Sequence, residues 1–221
     1  MTDIKNKFVL IIFSALGCLF GLLHSTKASA HPHVFINMTE QLLFSEDGKL
    51  IGISNRWTFD EGYSSYATQG VPKKADGSIS TEALDILAKS NTEALEEFEY
   101  FTKLRSDGRI IPLTTPKDFN LSFDGRNLIY TITVPLKEPT KPGKITIIEI
   151  HDPTFFVSFA FDGGPNAASM VDAPSGCALT TLRPNREIQL SQNLGETFFN
   201  SLSTNKNVGV EFFSRIILAC P

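Results

Sequence analysis

The sequence contains none of the short motifs that identify common classes of enzyme. There is no G-x-S-x-G nucleophile turn, no H-E-x-x-H metalloprotease helix, no C-x-x-C redox pair and no glycine-rich phosphate loop. Serine and threonine are plentiful, but none stands in a recognisable nucleophile context. We therefore expect this protein not to be an enzyme.

Clusters of positive charge are also missing. The chain has 20 Lys and Arg against 24 Asp and Glu, which gives a formal net charge of −4 at pH 7. Without a basic patch, neither nucleic acid nor an anionic membrane surface is an expected partner. A mildly acidic chain is compatible with the handling of cations.

The one long apolar run lies at the amino terminus. It covers residues 8–23, follows Lys5 and Lys7, and is followed by Ala28-Ser29-Ala30, a small-x-small pattern typical of signal peptidase sites. The run is short for a stable membrane span. We therefore predict that residues 1–30 are a cleaved signal peptide, and that the mature protein is periplasmic without stable membrane insertion. A retained anchor and a lipoprotein attached at Cys18 are the alternatives.

Cysteine is scarce in the predicted mature chain, which keeps only Cys177 and Cys220. In an oxidising compartment, two cysteines are most simply interpreted as one disulfide. It would close a loop of about 40 residues and contribute about 3–4 kcal/mol in the chain-entropy model. A metal site with thiolate ligands is the alternative.

Alternating apolar residues predict a fold built mainly from strands. Residues 34–44 and 50–59 form a hairpin, with a possible irregularity near Glu40. Further strand pairs flank predicted turns at 106–108, 125–126 and 152–154. A long loop is predicted at 163–175 and a strand at 177–182. Residues 190–203 are predicted to be partly helical, and residues 208–219 to form a strand or helix. Helical spacing predicts one long amphipathic helix from Thr81 to Tyr100, capped by Ser80 or Thr81. We predict an α+β class, a mainly antiparallel, sandwich-like β-sheet with this helix and short helices. Residues 31–221 would be a single domain with a helical insertion at about 61–100.

Signal cleavage after Ala30 would create a candidate metal site. His31 would become the first residue, so that its free amine, its own ring and the ring of His33 lie close together. Imidazole and amine ligands suit zinc, nickel and copper. Pro32 lacks an N–H, which excludes a site that uses the deprotonated amide of the second residue. Alternatively, both histidines are simply polar residues at the start of a strand.

Three further residues are candidates to complete this site. The first hairpin returns Asp60 toward His33, and His151 and Asp152 follow a predicted strand. Asp60 is either a ligand or a residue that orients a histidine ring, and alternatively it caps a following helix. His151 alternatively caps a turn. Residues 74–79 resemble the middle of a calcium loop but lack two ligands, so calcium is not expected.

Several motifs together resemble one bacterial family. They are H-P-H-V-F-I at 31–36, W-T-F-D-E at 57–61, D-G-S-I-S at 76–80, E-Y-F-T at 99–102, D-P-T-F-F at 152–156 and a late cysteine. The mature chain resembles domain of unknown function 1007 over essentially its whole length. By that resemblance His31, His33, Trp57, Asp60 and Asp152 lie at family motif positions. His151 stands where the family pattern usually has an aromatic residue.

The resemblance implies the periplasmic component of an ABC-type transport system linked to nickel, cobalt or zinc. The leading hypothesis is therefore a metal-binding accessory protein that exchanges zinc or nickel, or else copper, with an inner-membrane transporter or permease. The second hypothesis is a cell-envelope interaction module without metal, using the aromatic residues Tyr63, Tyr66, Phe155 and Phe156. A copper enzyme is third.

Overall fold

The computed structural model describes residues 32–76, 78–183 and 213–221. The predicted signal peptide, Cys18, His31 and the predicted partly helical segment at 190–203 lie outside the described residues. Of the metal-site candidates, His33, Asp60, His151 and Asp152 are described.

The first two strands form the predicted antiparallel hairpin. Strand β1 covers Val34–Phe44 and β2 covers Leu50–Phe59. Alternate residues of β1 point to the core, as the period of two in the sequence requires, and Glu40 continues this alternation without irregularity. Gly48 in the connecting turn has φ +72°, a conformation that glycine adopts without strain. Ile36 pairs with Phe59, so the end of β2 lies beside the start of β1.

This hairpin lies in the middle of a mixed sheet. Within the described residues the strand order is β5-β6-β2-β1-β8, and β9 also pairs with β1. The added strands are β5 (Asp118–Phe123), β6 (Leu128–Thr140), β8 (Val157–Phe161) and β9 (Ala168–Val171). Both β8 and β9 run parallel to β1. The sequence predicted mainly antiparallel pairing and assigned residues 163–175 to a loop, so β9 was missed.

A second sheet is antiparallel, with the order β10-β11-β7-β3-β4 in the described part of the chain. Its strands are β3 (Thr102–Ser106), β4 (Arg109–Ile111), β7 (Ile145–Ile150), β10 (Ala178–Leu182) and β11 (Ser214–Ala219). Cys177 precedes β10 and Cys220 follows β11, and the two form the predicted disulfide. The bond therefore joins neighbouring strand ends.

The turn predicted at 152–154 does not close a hairpin. Strand β7 belongs to the second sheet, whereas β8 belongs to the first. Residues 151–156 therefore carry the chain from one sheet to the other. Alternation alone identifies each strand but not its partner, because pairing depends on contacts remote in sequence.

Two α-helices lie between β2 and β3. Helix α1 covers Glu61–Ala67, and α2 covers Thr81–Leu95 with Ser80 as its N-cap. The sequence predicted an α-helix up to Tyr100, but a 3₁₀ segment replaces it at Glu96–Phe101. Glu99, Tyr100 and Phe101 have φ of 52°, 54° and 53°, so the right-handed helix cannot continue through them. Left-handed geometry at three non-glycine residues was not predictable from helical spacing.

One apolar core joins both sheets and α2. Trp57 is 1% exposed, and its ring lies 5.2 Å from that of Phe159, 5.9 Å from that of Tyr130 and 6.3 Å from that of Phe101. Tyr130 shares a 2.6 Å hydrogen bond with Thr92 of α2. The protein is thus mostly β with two helices in the described residues, an arrangement compatible with the predicted sandwich.

None of the helices in the described residues is both long enough and apolar enough to cross a membrane.

Candidate functional site

The start of β1 presents His33 at the surface. Its backbone N–H donates to the Phe156 carbonyl at 2.9 Å, and its ring centroid lies 4.9 Å from that of Phe156. The side chain itself is exposed. The backbone at this position is therefore fixed by hydrogen bonding to the crossing segment, while the side chain is exposed.

Asp60 fixes the opposite side of the same strand. Its Oδ2 accepts a hydrogen bond from the Phe35 N–H at 2.9 Å, and its own N–H donates to the Phe35 carbonyl at 2.9 Å. Its Oδ1 accepts from the Tyr63 N–H at 2.9 Å and so caps α1. The sequence alternative that Asp60 caps the following helix is confirmed, and the predicted return of the hairpin is confirmed as well.

Asp152 organises the crossing between the sheets. It is 4% exposed. Its Oδ1 accepts from the Thr154 N–H at 2.7 Å, its Oδ2 accepts from the Val157 N–H at 2.9 Å, and the Thr154 hydroxyl donates to both oxygens. Val157 pairs with Val34, so Asp152 holds the first residue of β8 against the first residue of β1. This carboxylate acts mainly as a backbone acceptor.

His151 lies in a different environment. Its N–H donates to the Phe101 carbonyl at 3.0 Å, and its ring stacks on that of Phe213 at 3.8 Å. Burial, together with the positive charges of Lys103 and Arg215, lowers the pKa of His151 to about 4. Its Nδ1 is buried and has no hydrogen-bond partner among the described residues. His151 is thus a neutral, packed ring.

The described candidates do not converge on one point. Among residues 32–76, 78–183 and 213–221, no three His, Cys, Asp or Glu side chains form a group able to hold a metal ion. Asp60 lies beside the start of β1 with His33, and Asp152 reaches that strand through β8. His151 packs against the second sheet. A metal site at the start of β1 therefore depends on His31.

An apolar cavity of about 190 Å³ lies directly inside the start of β1. Its wall includes Val34, Trp57, Tyr63, Leu95 and Phe156. The sequence analysis did not predict this cavity. No local signal indicates it, because each element contributes only a few side chains to its wall; the elements include β1, β2, β8, both helices and the crossing loop. Phe156 belongs to both the cavity wall and the His33 contact.

Comparison with known proteins identifies the family of this mostly β protein. Residues 16–220 match the family described as protein of unknown function (DUF1007), and the chain belongs to that family. It is also similar to an uncharacterised protein of Haemophilus influenzae, with 26% identity over 203 residues covering 91% of this chain and 97% of that protein. The resemblance stated from the motifs is thereby confirmed, whereas the link to ABC transport stays a prediction.

Proposed function

We propose that this protein is a periplasmic metal-binding accessory protein of a metal transport system. It binds a divalent transition metal, zinc or nickel first and copper next, at the amino terminus created by cleavage before His31. It then exchanges the ion with an inner-membrane transporter or permease. The single observation that carries this proposal is the exposed ring of His33 on a backbone that is fixed from both sides.

The fixed backbone reduces the entropy that a metal site must otherwise lose. Phe156 holds the main chain at His33, and Asp60 holds it at Phe35 through two hydrogen bonds. A metal that joins the rings of His31 and His33 then orders only side chains and one terminal residue. Preorganised ligands bind more tightly for this reason.

The donor atoms suit a borderline metal. A terminal amine has a pKa of about 8, so a metal displaces its proton at modest cost near neutral pH. Amine and imidazole nitrogens are ligands that zinc, nickel and copper accept, whereas calcium prefers oxygen. Asp60 is our candidate to complete the site or to orient a ring, because it bonds to Phe35 near His33. Asp152 is more deeply buried, and the His151 ring is packed on Phe213.

Calorimetry with protein that begins at His31 tests the proposal. Zinc, nickel and copper are titrated into this protein and into the double variant His31→Ala/His33→Ala. We expect one ion per chain in the first protein and no detectable uptake in the variant. Equal, negligible uptake by both proteins would contradict the proposal.

Two control proteins test the details of the site. A protein that keeps Ala30 before His31 lacks the free amine at the histidine, and we expect its affinity to fall at least about tenfold. His151→Gln removes the histidine whose ring is packed on Phe213, and we expect it to bind like the wild type. A fall in affinity for His151→Gln alone would move the site to β7.

A second candidate function is a cell-envelope interaction module. Its supporting observation is the exposure of large aromatic side chains at the same end of the first sheet, with Phe35 at 53% and Phe156 at 45%. Phe35 was not among the predicted contact residues, whereas Phe156 was. Of the remaining predicted residues, Tyr66 is 72% exposed, Tyr63 stacks on Phe59 and Phe155 packs near Phe213. A pull-down whose yield ignores chelator and drops for Phe156→Ala would favour this function.

A further inference from the structure

A carboxyl group lies in the middle of the core. Glu40 occupies an inward position of β1, between Met38 and Leu42 on the same face, and is 1% exposed. Neither of its carboxyl oxygens has a hydrogen-bond partner among the described residues. A buried ionised carboxylate without partners is among the most costly groups in a protein interior.

The polar neighbours of Glu40 come from β2. Asn55 stands directly opposite Glu40 in the strand pairing, and its amide nitrogen donates to the Ile132 carbonyl at 3.2 Å. Its Oδ1 has no partner in the described part of the chain, and neither has the indole Nε1 of Trp57. The cluster thus contains an acceptor on Asn55, a donor on Trp57 and a carboxyl group able to serve both.

Neither of the two residues that pair with Glu40 in the sheet carries a charge. On β2 the facing groups are Asn55 and Trp57, and on β9 the residue paired with Glu40 is Ala168. Burial raises the pKa of Glu40 well above its ordinary value, and the nearby Trp57 indole offsets only part of this effect. A neutral carboxylic acid has an O–H that Asn55 Oδ1 is able to accept.

We propose that Glu40, Asn55 and Trp57 form an internal proton-binding site, in which Glu40 is protonated in the folded protein. Release of the proton breaks the Glu40 O–H bond, sends the proton to solvent and leaves a buried carboxylate beside the Asn55 oxygen. The bound proton thus stabilises the fold.

Glu40 lies where β1 changes its parallel pairing partner. Strand β1 pairs with β8 up to Met38 and with β9 from Glu40 onward. The Glu40 N–H donates to the Ala167 carbonyl at 2.9 Å at this change of partner. A charge on the buried Glu40 side chain would therefore lie in the core at the junction between β8 and β9, where it would oppose packing.

The direction of the pH effect follows from the raised pKa. Stability contributed by the Glu40 proton is fully present below the ordinary pKa of 4.5 and is lost as pH rises through the folded-state value. Between these two values the unfolded chain binds one proton fewer than the folded protein. The folding equilibrium constant therefore falls by about tenfold per pH unit from this group.

Denaturant unfolding of Glu40→Gln across pH 5 to 9 tests the site, with Glu46→Gln in the exposed first turn as matched control. We expect Glu40→Gln to lose this tenfold-per-unit decline, whereas Glu46→Gln keeps it. A decline of equal slope in wild type and Glu40→Gln would overturn the proposal.

Carbon NMR of the wild-type protein gives a second test that needs no core substitution. The side-chain carboxyl carbon of Glu40 is followed during a pH titration. We expect its midpoint well above the ordinary pKa of 4.5. A midpoint at or below the ordinary value would overturn the proposal even if Glu40→Gln fails to fold.

Discussion

The start of β1 and the end of β7 each carry a histidine, and the two rings have opposite surroundings. His33 is exposed beside Phe156, whereas the ring of His151 is packed on Phe213 and its pKa is lowered to about 4 by burial. Both residues follow or precede a regular strand, so sequence gives them similar weight. The difference teaches that the surroundings of a histidine ring are set by the packing of the whole fold and not by its position at a strand end.

Aspartates beside these histidines also differ in use. Asp60 caps a helix and holds Phe35, whereas Asp152 accepts two N–H groups and a hydroxyl while almost fully buried. Each carboxylate ties the start of β1 to a different neighbour. Both therefore act as positioning groups for the strand that carries His33.

The largest expected effect is on the Asp152 side of this comparison. Asp152→Ala leaves the Thr154 and Val157 N–H groups without their acceptor, so we expect the free energy of unfolding to fall by about 3 kcal/mol. Denaturant unfolding measures it. Asp85→Ala on the exposed face of α2 is the control and should change stability by less than about 0.5 kcal/mol. A loss as small as that for Asp152→Ala would contradict the structural role.

Burial of the His151 ring should make the stability of the protein depend on pH. The pKa of His151 is about 4 in the folded protein, below its ordinary value of 6.5. The unfolded chain therefore takes up a proton first, and stability contributed by neutral His151 is lost as pH falls from 6.5 to 4. Across this range the folding equilibrium constant of the wild type should fall by up to about tenfold per pH unit more than that of His151→Phe. Parallel curves would contradict burial of a neutral ring.

A smaller effect is expected for Asp60. Asp60→Ala removes the N-cap of α1 and the acceptor for the Phe35 N–H, so we expect a loss of about 1–2 kcal/mol in unfolding free energy. If metal binds at the start of β1, affinity should also fall about 10- to 100-fold. Asp152→Ala should affect stability more than Asp60→Ala. The reverse order would break the comparison of the two carboxylates.

The smallest effect is expected for the aromatic contact of His33. Phe156→Ala removes the ring that lies beside the imidazole but keeps the backbone carbonyl that His33 uses. We expect stability to change by about 0.5–1.5 kcal/mol and metal affinity by only a few-fold. Calorimetry and unfolding of the same variant check both values. Complete loss of metal binding would instead assign Phe156 a direct part in the site.

Local patterns predicted the first hairpin, the Asp60 return and the start of α2 correctly. Each of these features depends on residues close in sequence, such as the Ser45–Lys49 turn or the cap at Ser80. The Cys177–Cys220 pairing was also predicted, because only two cysteines remained to pair. Local signals of this kind need no knowledge of remote contacts.

Other features depend on contacts between distant segments. The sequence predicts that β7 and β8 form a hairpin. In the structure β8 instead pairs with β1, so that β7 and β8 belong to different sheets. The predicted helix does not reach Tyr100, because Glu99, Tyr100 and Phe101 adopt left-handed conformations before β3. Neither the apolar cavity nor the burial of Glu40 is encoded by a local motif.

By itself, the sequence determined the strand-rich class, the turns, the disulfide and the family, because alternation, glycine turns, cysteine count and motif order are local or compositional. It also supplied the hypothesis of a metal site at His31 and His33. Only the tertiary structure decided that His33 is exposed while His151 is packed, and that the buried carboxyl oxygens of Glu40 have no hydrogen-bond partner among the described residues. Burial is a property of the whole fold, since it depends on which distant strands cover each side chain.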